Sequence, residues 1–372
     1  MLTTRTLRPH DLDEWASPAT LMGAPARTLW GMRLGAAAGA GTGVGADAGA
    51  GARGGPGSPT PWADCALPLL AGGVGAGDEG AMPVGDLWLA GSASDGLHSG
   101  QTGAVRWWQR GAWLAAAVDW PEADEGAGLQ VLTGAAYDAL FGVLQAHGTP
   151  HVLRFWNYVA RINEPAAGLE RYRHFNLGRQ QAFERARRSA FEGSPAASAV
   201  GSPAGAPLQV RVIASSDRRS TAVENPRQVS AYRYPSAYGP VAPTFSRAAL
   251  LARRDGSPLL VISGTASILG HETVHPGDVS AQTHEACRNL QAVLTAARSY
   301  AGGPSLDTLA DAALTVYVRH PADQPRVAQA LAEHLGADAP ALAHVAWLQA
   351  DICRADLLVE IEAVVQGLPQ AE

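Results

Sequence analysis

The C-terminal stretch Leu357-Leu358-Val359-Glu360-Ile361-Glu362-Ala363-Val364-Val365 has the pattern of a β-strand. Side chains alternate between the two faces of a strand, so the apolar residues from Val359 point one way while Glu360 and Glu362 point the other. The strand alone favours a half-buried edge whose glutamates meet water. The other interpretation, an acid held in a pocket, depends on what lies beside this strand, above all the loop Ser263-Gly264-Thr265-Ala266-Ser267.

The segments around this strand repeat an order found earlier in the chain. In the second half, apolar runs and turn residues predict strands at 248–253, 259–264, 312–319, 343–349 and 357–365 and helices at 278–300 and 324–335. In the first half they predict strands at 86–92, 104–109, 112–119, 151–159, 208–214 and 228–234 and helices at 133–147 and 169–188. This repeated order predicts an internal duplication of one α+β unit, in which two helices cover one face of a sheet.

Two stretches rich in small residues interrupt the pattern. Residues 35–58 are almost wholly glycine and alanine, and residues 193–207 have a similar Gly/Ala/Ser/Pro character. Such segments have too little apolar surface to form a core, so we expect a disordered insertion at the first and a flexible one at the second. The predicted organisation is an N-terminal segment over 1–80, a first half over 81–245 and a second half over 246–372.

Composition narrows the classes of partner. The 372 residues suffice for two domains, and a charged fraction of 17% with a net charge of -6 gives no general attraction for nucleic acid or anionic membranes. The chain has no lysine, which excludes a lysine Schiff base and a Walker-type phosphate loop, so any anion site must use arginine or the backbone.

The cysteines and the N-terminus indicate a compartment. Cys65, Cys287 and Cys353 are scattered and odd in number, which matches neither a disulfide framework nor a CxxC zinc pattern. The first residues form no apolar signal core, and no run reaches the length of a membrane span. We therefore expect a soluble protein of the reducing cytoplasm.

One motif matches a zinc-protease signature by letter. The stretch His271-Glu272-Thr273-Val274-His275 is an HExxH, which binds zinc only when a helix places both histidines on one face. Gly270 precedes it, two of its residues are β-branched, and Pro276-Gly277 follows at once. We therefore interpret it as a loop ahead of a helix that begins near Asp278, a suitable N-cap residue, and expect no metal site.

Arginines interleaved with aromatic residues occur in three places. They lie in the stretches 151–164 and 170–179, and again around Arg233 and Arg247 where the two halves meet. Stacked nucleobases are one use of such residues. Because the net charge is negative and lysine is absent, a pocket for a small ring that bears carboxylates is the better interpretation.

Several of these motifs together carry a resemblance to a known family. Ile262-Ser263-Gly264-Thr265-Ala266, Asp278 with Gln282-Thr283, and Leu358-Val359-Glu360-Ile361-Glu362-Ala363 are similar to the YjgF/RidA fold. Together with Phe155-Trp156-Asn157-Tyr158, Glu170-Arg171-Tyr172, Phe175-Asn176 and Glu224-Asn225-Pro226-Arg227, they resemble the chorismatase family over about residues 80–372. The arginine that grips a carboxylate in RidA proteins has no counterpart around His344-Val345-Ala346, so we expect the carboxylate-binding arginines in the first half.

The resemblance implies an enzyme that releases pyruvate from chorismate. Two carboxylates on a small ring call for several arginines, and cleavage of the enolpyruvyl ether needs an acid with a raised pKa to protonate its methylene carbon. The family's acid matches Glu360, and Glu362 on the same face is expected to matter less. The substrate-binding candidates are Arg233, Arg247, Tyr232, Ala231, Arg161, Arg179, Gly264, Thr265 and Ala266.

Two further positions bear on the product. In the family, the residues that match Cys353 and Ala266 distinguish product types. Cys353 resembles members that form hydroxybenzoates, and we expect mainly 3-hydroxybenzoate, with 4-hydroxybenzoate also formed. The thiol would act either with a pKa lowered by a nearby cation such as Arg354 or simply by excluding the competing water. Ala266 departs from part of that pattern, so hydrolysis to 3,4-dihydroxycyclohexa-1,5-dienoate remains an alternative, as does a ligand-binding protein without catalysis.

The predicted fold class is therefore α+β, with two YjgF/RidA-like halves packed side by side and the site in the cleft between them. We expect a small-molecule substrate, no metal or organic cofactor, and no nucleic-acid or membrane partner. The sequence leaves monomer and homo-oligomer open.

Overall fold

The fold is described from a computed structural model over residues 3–6, 28–33, 62–65, 67, 70, 84–89, 95–122, 128–254, 256–300 and 306–367. The insertion predicted at 35–58 lies outside these ranges, as does most of the segment 1–80.

The described chain contains twenty strands and four α-helices. The strands are β1 (Thr3–Thr6), β2 (Thr28–Arg33), β3 (Trp62–Asp64), β4 (Val84–Leu89), β5 (Leu97–Thr102), β6 (Val105–Arg110), β7 (Trp113–Trp120), β8 (His151–Ala160), β9 (Pro165–Ala166), β10 (Leu169–Glu170), β11 (Ala196–Ser202), β12 (Leu208–Ser215), β13 (Thr221–Val223), β14 (Ala248–Ala252), β15 (Pro258–Ala266), β16 (Ile268–Leu269), β17 (Glu272–Thr273), β18 (Ala313–Val318), β19 (Ala346–Gln349) and β20 (Val359–Gln366). The helices are α1 (Gly128–Ala146), α2 (Arg171–Arg185), α3 (Val279–Arg298) and α4 (Gln324–Leu335).

Two six-stranded sheets repeat one topology. The first has the order β11-β8-β12-β7-β6-β5 and the second the order β19-β18-β20-β15-β14-β13. In each, the edge strand β11 or β19 runs parallel to its neighbour, while the other pairs are antiparallel. The final strand of the chain, β20, thus lies in the middle of a sheet between β15 and β18, and both of its faces are covered by protein.

The two sheets share one apolar cluster, and each packs its helices on its other face. One apolar cluster joins the inner faces, with Trp156 and Ile213 from the first sheet and Val261 and Tyr317 from the second. A second cluster packs the first sheet against α1 and α2, and a third packs the second sheet against α3 and α4. Because both faces of each sheet are buried, alternate side chains along a strand contribute to the shared cluster and to the cluster beneath the helices.

The stretch predicted as a flexible insertion at 193–207 contains β11, so that prediction is wrong. All but one residue of β11 are buried. A Cβ atom on Gly201 would lie 2.5 Å from the Cβ atom of Asp351, which follows β19 in the other half. Small residues are present here because the halves approach closely, and they gave the strand the composition of a linker.

The prediction of a strand at 228–234 is also wrong. Ala231–Arg233 forms a 3-10 turn, and the segment contributes only an isolated bridge between Gln228 and Gly270. Prolines at 226 and 235 bracket the segment, and proline donates no backbone hydrogen bond to a sheet. The second sheet begins instead with β13, inside the range predicted for the first half.

The HExxH stretch is not helical, as predicted: it contains β17, which pairs with the preceding β16 in a short hairpin, and α3 begins only at Val279. The Asp278 side chain accepts a hydrogen bond from the Ala281 amide at 3.0 Å, which confirms the predicted N-cap. Within the ranges described, no helix is long and apolar enough to cross a bilayer.

Candidate active site

A cavity of about 260 Å³ opens where the two halves meet. The first half contributes α2 and the middle of β11, and the second half contributes the ends of β15 and β20 with the loop before β20. The lining residues with polar or reactive side chains are Glu170, Tyr172, Arg173, Arg179, Ser198, Tyr234, Tyr238, Arg247, Cys353, Arg354 and Glu360.

Glu360 lies in the wall of this cavity. It is the second residue of β20, pairs with Ala266 on one side and Tyr317 on the other, and is only 3% exposed. Burial, and to a smaller extent the nearby Glu362, raise the pKa of its carboxyl to about 8 against the opposing effects of Arg154 and Arg247. A carboxyl with this pKa is protonated at neutral pH and can donate a proton.

Gly264 lies directly against the Glu360 carboxyl and leaves the space that this carboxyl occupies, which we call its seat. A Cβ atom at this position would lie 2.0 Å from Glu360 Oε1, so only glycine leaves room for the acid. The register of β15 against β20 shifts between Ile262 and Thr265, and the resulting irregularity carries Gly264. The Ser263 hydroxyl fixes the strand there, accepting a hydrogen bond from the Ala197 amide and donating one to the Ser246 carbonyl.

The cavity arginines are held by aromatic rings. The Arg179 guanidinium lies 5.3 Å from the ring centroid of Tyr137 and is also near Phe155 and Phe183. Its side chain is 2% exposed, its Nε and Nη2 atoms have no hydrogen-bond acceptor, and it forms no ion pair with any described residue. A buried guanidinium in this state is suited to bind an anion that enters the cavity.

Arg247 and Arg354 are two further cavity arginines that lie against aromatic rings. Arg247 is 4% exposed, donates to the Tyr234 hydroxyl at 2.7 Å, and lies near the ring of Phe245. The guanidinium of Arg354 lies 4.1 Å from the ring centroid of Tyr238 and donates to the His271 carbonyl. Neither arginine forms an ion pair with a carboxylate in the described part of the chain. Both belong to the second half and Arg179 belongs to the first, so both halves contribute arginines to the cavity wall.

Cys353 lines the cavity beside Glu360. Burial, and to a smaller extent the neighbouring Glu360, raise the pKa of its thiol to about 12, although Arg354 and Arg247 act to lower it. The expectation of a thiol activated by Arg354 is therefore wrong, because desolvation outweighs the cation. The sulfur in this site is a neutral thiol.

The structure brings five of the predicted binding residues to the cavity wall or its frame and leaves others away from it. Arg179, Arg247, Gly264 and Ala266 line it. Thr265 points to the opposite face of β15, as alternation requires, and donates to the Ser263 carbonyl. It is therefore part of the frame.

The remaining predicted residues lie outside the cavity lining. Because 231–233 forms a turn and no strand, Ala231 is buried elsewhere, Tyr232 is half-buried, and the exposed Arg233 stacks over the Tyr232 ring at 5.7 Å. Arg161 forms a partly exposed ion pair with Glu164 at 3.5 Å.

Glu362 is bound differently from Glu360. Its carboxylate is 2.7 Å from Arg154 Nη2, and both side chains are buried. The sequence placed the two glutamates on one face but gave no sign that an arginine of the other half reaches only one of them.

Ser198 was missed because β11 was taken as a linker. The chain's own duplication could have located it, since the second half requires an edge strand after α4 and the first half therefore requires one after α2.

Comparison with known proteins identifies the family. A family model described as "Chorismatase FkbO/Hyg5-like, N-terminal" matches residues 86–214. A protein of Streptomyces rapamycinicus named chorismatase is 39% identical over 294 residues, covering 75% of this chain and 81% of the relative. This chain belongs to the chorismatase family.

A second relative and a solved structure are also similar to this chain. A 3-hydroxybenzoate synthase of Streptomyces hygroscopicus is 37% identical over 241 residues, covering 63% of this chain and 68% of the relative. A chorismatase crystal structure is similar with a TM-score of 0.77 and 30% identity, covering 98% of both chains. The predicted fold class, an α+β chain of two similar halves with mixed sheets, is confirmed.

Proposed function

We propose that this protein cleaves chorismate to pyruvate and a hydroxybenzoate, with Glu360 as the general acid. The names of its chorismatase and 3-hydroxybenzoate synthase relatives support the substrate. The observation that carries the proposal is the joint presence, in one cavity, of a carboxyl protonated at neutral pH and arginines without carboxylate partners. The arginines suit the two carboxylates of chorismate, and the acid suits its enolpyruvyl ether.

The proposed reaction balances without water. Glu360 donates its proton to the methylene carbon, which becomes the methyl group of pyruvate, and the bond between the ether oxygen and ring carbon 3 breaks. The oxygen of the neighbouring ring hydroxyl attacks that carbon to form an epoxide, and its proton returns to Glu360. The epoxide then opens and a ring proton moves, giving hydroxybenzoate, an isomer of the epoxide.

Incubation of the purified protein with chorismate tests the proposal. We expect equal amounts of pyruvate, measured with lactate dehydrogenase, and an aromatic product, measured by chromatography. Release of pyruvate with 3,4-dihydroxycyclohexa-1,5-dienoate would show that water enters the reaction. Binding of chorismate without pyruvate release would contradict the proposed cleavage and favour a non-catalytic binding protein.

The first prediction concerns the arginines. Arg179→Ala and Arg247→Ala should each weaken chorismate binding by about 2–5 kcal/mol, since a substrate carboxylate would be buried without its cation. Titration calorimetry in a Glu360→Gln background, which prevents turnover, measures this. Arg233→Ala is the matched control because Arg233 is exposed and outside the cavity, and it should change binding by less than about 1 kcal/mol. Equal effects at Arg179 and Arg233 would contradict the proposed pocket.

The second prediction concerns Cys353. A neutral thiol beside Glu360 can exclude water from the epoxide, so Cys353→Ala should retain pyruvate release while shifting the product from hydroxybenzoate towards the diene diol. Chromatography of the products measures the ratio. Cys287→Ala is the control, because Cys287 is also buried but lies on α3, in the apolar cluster of the second half. An unchanged ratio in Cys353→Ala would mean that this thiol only fills space, and product choice would then be sought at Ala266.

A further inference from the structure

Two buried carboxyls on β20 have access to one closely bound cation. Glu360 and Glu362 are each 3% exposed and lie two residues apart on the same face. Arg154, which reaches across from β8 of the first half, places Nη2 at 2.7 Å from Glu362 Oε1. Glu360 forms no ion pair among the described residues. The two carboxyls therefore have unequal environments, because a cation lies at ion-pair distance from one of them and not from the other.

Arg154 also contacts the backbone that seats Glu360. Its Nη1 donates to the Ile262 carbonyl at 3.0 Å, immediately before the register shift in β15. Gly264 follows two residues later and lies against the Glu360 carboxyl. The ring of Trp156 holds the guanidinium from a centroid distance of 4.7 Å, and Arg154 is 1% exposed. One side chain thus contacts both Glu362 and the backbone that makes room for the proposed acid.

We propose that Arg154 and Glu362 are positioning residues that act on the proton of Glu360 in opposite directions: Glu362 favours the protonated form, while Arg154 binds Glu362, anchors the backbone beside Gly264 and opposes protonation. This inference rests on the proposed function for its kinetic consequences, while the site of the proton can be measured without turnover.

The titratable groups around the two glutamates come from several elements. They are Arg154 on β8, Arg247 before β14, Tyr317 on β18, Cys353 before β20, Tyr172 on α2 and Cys65. Burial raises the pKa of Cys353 and Cys65 to about 11 or 12 and raises the pKa of both tyrosines, so these four groups stay neutral at the pH of interest. The charges left to act on Glu360 are Glu362, Arg154 and Arg247.

Single substitutions in the pair should move the pH–rate profile in opposite directions. The protonated form of Glu360 is the active one, so kcat falls as pH rises through its pKa. Glu362→Gln removes the negative neighbour and leaves Arg154, so the falling limb should move to lower pH. Arg154→Met removes a cation that lowers the pKa, so the limb should move to higher pH. A move of about one pH unit changes kcat on that limb about tenfold, while KM should change little.

A merely structural role predicts another result. Loss of packing alone would lower kcat in both variants without separating their limbs, and that outcome would overturn the proposal. If either single variant fails to fold, the double variant Arg154→Met with Glu362→Leu replaces the pair by apolar side chains of similar size, which is often tolerated. Because it removes the group that favours protonation together with the group that opposes it, its limb should lie within about one pH unit of the wild-type limb; a larger displacement would contradict the proposal.

Infrared titration of the wild-type protein locates the proton without catalysis. A band of a protonated buried carboxyl should persist to about pH 8, disappear in Glu360→Gln, and be lost at lower pH in Glu362→Gln. A band that survives Glu360→Gln but disappears in Glu362→Gln would overturn the inference. Failure of the wild type to release pyruvate would refute the proposed function instead, since the infrared assignment does not depend on it.

Discussion

Glu360→Gln is expected to lower the rate of pyruvate release at least about a hundredfold, because the amide keeps the shape of the side chain but cannot protonate the methylene carbon. The side chain is buried and forms no ion pair among the described residues, so the fold should be retained. The lactate dehydrogenase assay measures the rate, and circular dichroism with thermal unfolding checks the fold.

Glu164→Gln is the matched control for this variant. Glu164 is an exposed glutamate on the turn after β8, and its loss should leave the rate within about twofold. Glu362 cannot serve as an inert control, since its removal would leave Arg154 buried without its carboxylate. Near-normal turnover in a folded Glu360→Gln protein would remove Glu360 from the mechanism.

Gly264→Ala is expected to have a similarly large effect. The added Cβ atom would lie 2.0 Å from Glu360 Oε1 and 2.7 Å from its Cδ atom, so the acid must leave its position. Ser198 closes the other side, since its Cβ atom would be 3.1 Å away. A displacement of about 1 Å can cost on the order of a hundredfold in rate, so kcat should fall by about that factor.

Gly142→Ala provides the comparison for this substitution. Gly142 is exposed on α1, and a Cβ atom there meets nothing within 4 Å. Alanine at that position should stabilise the protein by about 0.5–1 kcal/mol and leave turnover unchanged. If Gly264→Ala turned over chorismate at the wild-type rate, the seat described for Glu360 would not be needed for catalysis.

The duplicated topology was predictable because it depends on patterns within single segments. Periodicity located β7, β8, β12, β14, β15, β18, β19, β20 and all four helices. It failed at β11, where the close approach of the other half demands small residues and so removes the apolar pattern. It failed again at 231–233, where the residues alternate as in a strand but form a 3-10 helix that pairs with no strand.

The site was predictable only where the motif itself carried the information. The stretches around Gly264 and Glu360 were located, but the pairing of Arg154 with Glu362 joins β8 to β20 across the two halves, and no local pattern encodes it. The protonation state of the Cys353 thiol also depends on tertiary structure, because burial and Glu360 raise its pKa by more than Arg354, the next residue in sequence, lowers it.

The most direct test of the account is the pH dependence of kcat for pyruvate release from chorismate by the wild-type protein. Glu360 acts in its protonated form and has a pKa of about 8, so kcat should be level at lower pH and fall about tenfold per pH unit above that value. A kcat that rises through this range, or the absence of pyruvate at every pH, would contradict the account.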